Sequence, residues 1–173
     1  MLSNFHHVAF RCRDADETTR FYTEVLGLKF SHAVSNDIVG STKEFSPHVH
    51  IFFELDDGSN MAFFEVPLSP PAQKDPNTPA WVEHVAFQVR DMDELKACQK
   101  RLDDNGVDYI GPVGHYDAAQ WSIYFFDPNG IRLEFNLPAK TDPVQRAAHA
   151  QSVLDEWRQK KAAGWTNQPE MAH

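Results

Sequence analysis

The chain has 173 residues, with 16 basic against 25 acidic side chains and a formal net charge of −9, which excludes a phosphate-binding surface built on clustered Lys and Arg. An apolar content of 42% with 24% charged residues is that of a globular domain with a real core, and no run approaches the ~20 apolar residues of a membrane helix. Met1-Leu2-Ser3-Asn4 carries no charged-then-apolar leader pattern, and Cys12 and Cys98 read as buried thiols of a reducing compartment, so a cytoplasmic protein with neither nucleic acid nor membrane as partner is expected.

A strand over about 5–12 comes first, because Val8, Phe10 and Cys12 alternate with His7, Ala9 and Arg11 at the period of a pleated chain. Asp14-x-x-Glu17 then matches a capping box, Phe21, Tyr22, Val25 and Leu26 make a helical stripe, and Gly27 stands where a helix stops. Three more strands are predicted at about 28–35, 48–55 and 60–66, with Asp56-Asp57-Gly58 as a turn between the last two. Five prolines between 67 and 79 bar helix and central strand there, so the segment reads as a linker.

The second half retraces the first: a strand at 82–89, the capping box Asp91-x-x-Glu94, a helix burying Leu95, Cys98 and Leu102, the stop Gly106, and strands near 107–112, 120–126 and 131–136. Beyond Pro138 a last helix is predicted over about 143–162, with Val144, Ala147, Ala148, Val153, Leu154 and Trp157 at roughly helical spacing and Gly164 at its end. Packing on the outside, or across a second copy, suits it better than a lid over a site.

The two halves are a repeat. His7-Val8-Ala9-Phe10 and His84-Val85-Ala86-Phe87 open them, and apolar runs carrying Glu65 and Glu134 close them. Strand parity puts His7 with Ala9 and Arg11, His84 with Ala86 and Gln88, and Glu134 with Arg132 and Asn136, while Glu65 shares its face with Phe63 and Met61. If helices cover the apolar faces, the other faces can curl around a cavity into which His7, Glu65, His84 and Glu134 point. Two imidazoles and one or two carboxylates suit Fe(II), Mn(II), Ni(II) or Zn(II), and with open positions they describe an oxygen-activating ferrous centre.

The segments His7-Val8-Ala9-Phe10, Phe21-Tyr22-Thr23-Glu24-Val25-Leu26-Gly27-Leu28 and Asp127-Pro128-Asn129-Gly130-Ile131-Arg132-Leu133-Glu134 resemble the vicinal oxygen chelate superfamily over about residues 4–137. The resemblance implies an α+β fold of two paired βαβββ modules, at 4–67 and 81–137 with the linker 67–80 between them. These form an open, curled sheet cleft within one domain, 1–138, followed by a C-terminal helix and tail, 139–173. It also implies a divalent metal in that cleft, a small-molecule substrate with vicinal oxygens or an aromatic ring, and pairing into a homodimer.

Val113-Gly114-His115, seven residues, Ile123-Tyr124, then Asp127-Pro128-x-Gly130 and Glu134 resembles the signature of type I extradiol ring-cleavage dioxygenases. That likeness implies Fe(II), with Mn(II) as its substitute, held by His7, His84 and Glu134, and Tyr124 and His115 flanking a catechol-like substrate or O₂. Those enzymes keep a further acid–base histidine near the strand before the linker, where this chain reads Ser59-Asn60-Met61-Ala62; His48 or His50 could substitute. Glu65 stands where glyoxalase-type enzymes keep a fourth ligand, which implies the alternative of a glyoxalase I-like lyase or an epimerase or isomerase using Ni, Co or Zn. A third alternative is a non-catalytic, antibiotic-sequestering protein with a pocket lined by Phe52, Phe63, Trp81, Trp121 and Phe126.

Overall fold

The computed structural model describes residues 4–115 and 120–164 and divides the chain into two units, Met1–Pro138 and Ala139–His173. The first unit is the duplicated α+β part. Its first module runs β1 (His7–Cys12), α1 (Ala15–Arg20) continued by a π-helical turn (Phe21–Val25), β2 (Lys29–Ile38), β3 (Phe45–Glu54) and β4 (Asn60–Glu65). The second runs β5 (His84–Gln88), α2 (Met92–Asp104), β6 (Tyr109–His115), β7 (Gln120–Phe126) and β8 (Arg132–Leu137). Each makes an open four-stranded sheet, ordered β1-β4-β3-β2 and β5-β8-β7-β6, in which the first strand pairs parallel with the last.

Local chemistry fixes both helices. Asp14 accepts the Glu17 amide at 2.7 Å and Asp91 the Glu94 amide at 2.9 Å, so each carboxylate satisfies an otherwise orphaned first-turn N–H. The expected stripe Phe21, Tyr22, Val25 and Leu26 is wholly buried, and the π turn makes this possible: the Leu26 amide reaches back five residues to the Phe21 carbonyl at 3.1 Å. Gly27 ends the segment at φ +76°, where a Cβ would come 2.5 Å from the Arg101 guanidinium.

Several boundaries differ from the sequence reading. β2 and β3 form a longer hairpin than predicted, and Pro47 is accommodated because the ladder breaks register between Asn36 and Ile38, where its missing N–H is not needed. β6 begins later and ends later than expected, with Pro112 at another break in register, between Ile110 and Val113.

One core joins the two modules. Cys12, Tyr22, Phe53 and Phe63 of the first lie in the same buried cluster as Phe87, Leu95, Ile123 and Leu133 of the second. Polar contacts seal the joint. The Tyr22 hydroxyl donates to Asp127 at 3.2 Å, the Arg13 amide donates to the Asn129 side-chain oxygen at 3.0 Å, and the Arg101 guanidinium donates to the Leu26 carbonyl at 2.9 Å. Because the core takes one face of each sheet, the other two faces are turned away from it. Those outer faces carry the histidines.

The second unit contains α3 (Pro143–Ala163), capped by Asp142 and stopped by Gly164 at φ +74°. None of its residues is buried. At 100° per residue Val153, Leu154 and Trp157 share a side while Val144 lies opposite, so the apolar residues do not form the single stripe expected. Among the described residues no helix is long and apolar enough to cross a membrane.

Candidate metal centre

The outer face of the second module holds a compact polar group. Glu134, with 5% of its side chain exposed, sits mid-strand on β8 and pairs with Ala86 on one side and Tyr124 on the other. Its Oε1 accepts the Ser122 hydroxyl at 2.6 Å and the Asn136 amide at 2.8 Å. Its Oε2 faces His84 Nε2 at 3.1 Å. His84 Nδ1 lies 3.0 Å from the Val82 carbonyl, and a carbonyl only accepts, so Nδ1 carries a proton and Nε2 is the ring nitrogen that would offer a lone pair to a metal.

With Nε2 unprotonated, two lone-pair donors point at each other, one carboxylate and one imidazole. A proton on Nε2 or a cation beside both relieves this. The donor set fits a divalent metal of intermediate hardness, and the Val82 carbonyl, Ser122 and Asn136 are the outer groups that orient such ligands. Ser122 and Asn136 were not singled out in the sequence; the signal was available, since Asn136 shares strand parity with Glu134.

Tyr124 and His115 belong to the same face. The Tyr124 hydroxyl is 3.2 Å from His115 Nε2, and its ring meets the His84 ring edge-on at 6.3 Å. The Arg132 guanidinium lies 4.2 Å from the Tyr124 ring centroid.

The first module presents a histidine-rich outer face. His7 packs its ring edge against Phe52 at 5.5 Å and His50 at 5.8 Å. His50 stacks on Phe64 at 3.6 Å, and its Nε2 is buried without a partner. Burial, helped by neighbouring His7, His32 and His48, pushes the His50 imidazole down to about 4. The substitute histidine considered from the sequence thus lies on the same face as His7, as does His48 by strand parity.

Glu65 does not join them, which corrects the sequence expectation. It pairs with Cys12 at the end of β4, on the core side, and its Oε2 accepts the Ala15 amide at 2.7 Å. Register explains the error: Ala62 stands opposite Ala9 as Glu134 stands opposite Ala86, so the repeat-equivalent of Glu134 is Ala62. The apolar pocket of the third alternative is also dispersed, with Phe63 in the core and Trp81 at 67% exposure.

Within one chain, among the described residues, no three His, Cys, Asp or Glu side chains gather at metal-binding distance. His84 and Glu134 meet, while His7 stays with His50 on the other module.

Two paired βαβββ modules, each an open four-stranded sheet, define the vicinal oxygen chelate fold. The chain belongs to the Glyoxalase/Bleomycin resistance protein/Dioxygenase superfamily, which matches residues 4–135. It is 28% identical over 148 residues to a 2-epi-5-epi-valiolone epimerase from Actinomyces sp, covering 78% of this chain and 79% of that protein. It is 26% identical over 133 residues to an iron-dependent extradiol dioxygenase from Rhodococcus jostii (strain RHA1), covering 75% of this chain but only 41% of that protein. Among solved structures, a glyoxylase/bleomycin resistance protein/dioxygenase domain from Frankia sp. EAN1pec superposes with a TM-score of 0.64 at 25% identity, covering 79% of this chain and 98% of that one.

Proposed function

We propose that the protein is a metal-dependent dioxygenase of the extradiol type, cleaving a catechol-like ring with O₂. Its centre would be completed between two copies: His84 and Glu134 of one chain with His7 of the other. The observation that carries this reading is the opposed pair, His84 Nε2 and Glu134 Oε2 at 3.1 Å, each already oriented by partners behind it. Fe(II) is the preferred ion and Mn(II) the substitute, since both accept two imidazoles and one carboxylate with open positions. When bound, such an ion would supply Lewis acidity and open positions for substrate oxygens and O₂.

The chain's own groups would do the rest. Tyr124 and His115 donate hydrogen bonds to oxygens that gain negative charge. His50, buried between Phe52 and Phe64 beside His7, offers Nε2 to a substrate hydroxyl. The aromatic rings around it exclude water from that side. Ala62, where a second carboxylate would stand as fourth ligand, favours this open-sided set over the four-ligand glyoxalase type.

Protein loaded anaerobically with Fe(II) is expected to consume O₂ stoichiometrically with one or more of a panel of catechols. Absence of uptake with every catechol would remove the reading. The likeness to the Actinomyces epimerase supports a second reading, an epimerase or isomerase. Turnover of a carbonyl substrate without O₂, with proton exchange at the adjacent carbon, would establish that one instead.

A further inference from the structure

We propose that Arg132 is the substrate anchor of this site, and that the substrate carries a carboxylate or similar small anion beyond the oxygens that meet the metal. The inference rests on the metal-site reading and adds the substrate's charge to it. Arg132 is the register partner of His84 across the β5–β8 pair. It precedes Glu134 by two residues, so the two share a face at a spacing of roughly 7 Å along the strand. That is about the span of one substituted aromatic ring.

Its side chain is held in place. Nη1 donates to the Trp81 carbonyl at 2.6 Å, and the guanidinium carbon lies 4.2 Å from the Tyr124 ring centroid. Stacking on an aromatic face fixes the guanidinium plane and leaves its edge for bidentate recognition of a planar anion. Among the described residues, one of its N–H groups, on Nη1, donates to a protein acceptor and no carboxylate lies within ion-pair distance of the guanidinium.

Arg90 is paired with Glu94 and Arg13 with Glu17, each four residues further on, whereas Arg11 and Arg101, like Arg132, donate to backbone carbonyls. In a chain with nine more acidic than basic side chains, an oriented cation left without an acid beside Glu134 and Tyr124 is placed for an incoming anion.

The test uses Mn(II)-loaded full-length protein and calorimetric titration with 3,4-dihydroxybenzoate, catechol and benzoate. Wild type is expected to bind dihydroxybenzoate about tenfold more tightly than catechol, the value of one charge-assisted contact. Arg132→Gln should abolish that preference by lowering dihydroxybenzoate affinity about tenfold more than catechol affinity, and Arg132→Lys should restore part of it. Because Arg132 also ties down Trp81, melting curves of both variants are taken alongside; equal losses for catechol and dihydroxybenzoate overturn the proposal, as does no preference in wild type. If dialysis shows that no metal binds, the metal reading fails separately. Benzoate binding by metal-free protein, lost in Arg132→Gln, would then still support the anchor, and benzoate ignored by both proteins would overturn it.

Discussion

At the scale of single residues, the site depends on groups that hold Glu134 rather than on Glu134 alone. Ser122 is fully buried, and its hydroxyl donates to Glu134. Ser122→Ala should therefore lower metal affinity by about 10- to 100-fold, as loss of an outer-shell partner does elsewhere, measured by competition with a chelating dye. Glu65→Gln should leave metal affinity untouched and cost about 1 kcal/mol of folding stability through its bond to the Ala15 amide, read from urea unfolding. Should Glu65→Gln release the metal, the register argument is wrong. That His84 shares a face with Ala86, and Glu134 with Asn136, could be read from strand parity. The position of Glu65 could not, because parity orders residues within a strand, whereas register between strands is set by loops whose geometry the sequence does not spell out.

Among the elements, the turn after β7 joins the modules. Asp127 is buried and accepts the backbone amides of Asn129 and Ile131 at 2.9 and 2.8 Å and the Tyr22 hydroxyl at 3.2 Å. Burial nevertheless outweighs these bonds and raises its carboxyl above the usual range. A raised folded value means that the contribution of Asp127 to stability is full below the ordinary carboxylate range and is lost as pH rises through the raised value. The difference in melting temperature between wild type and Asp127→Asn should thus be larger at pH 4 than at pH 7; a gap that widens with pH would contradict the sign. Element types were legible here because capping boxes, stop glycines and prolines are local signals. The long β2–β3 hairpin and the shifted β6 were not, since breaks in register depend on how a partner strand tolerates proline.

For the whole molecule, the decisive fact is that one core unites both modules and turns their histidine-bearing faces outward. Duplication was visible in the sequence, but which faces meet was not: burial of the opposite faces against each other and against a shared core are equally compatible with the same alternation. If two copies complete each centre, His7→Ala and His84→Ala should each be inactive alone. Mixed after unfolding and refolding together, they should regain about a quarter of wild-type metal sites, because half the dimers are mixed and each of these holds one intact centre. No recovery would place all ligands in one chain.

Ala62 has a further consequence. It stands opposite Ala9, at the register point where the other module carries its carboxylate, so the duplicated halves are alike in backbone and unequal in chemistry. On the proposed metal reading, that asymmetry limits the protein ligands of a bound ion to three. On that reading, a chain with a carboxylate there would offer the ion a fourth protein ligand. Substrate choice and reaction type in such a scaffold can therefore diverge through a single codon, with the architecture left as it is.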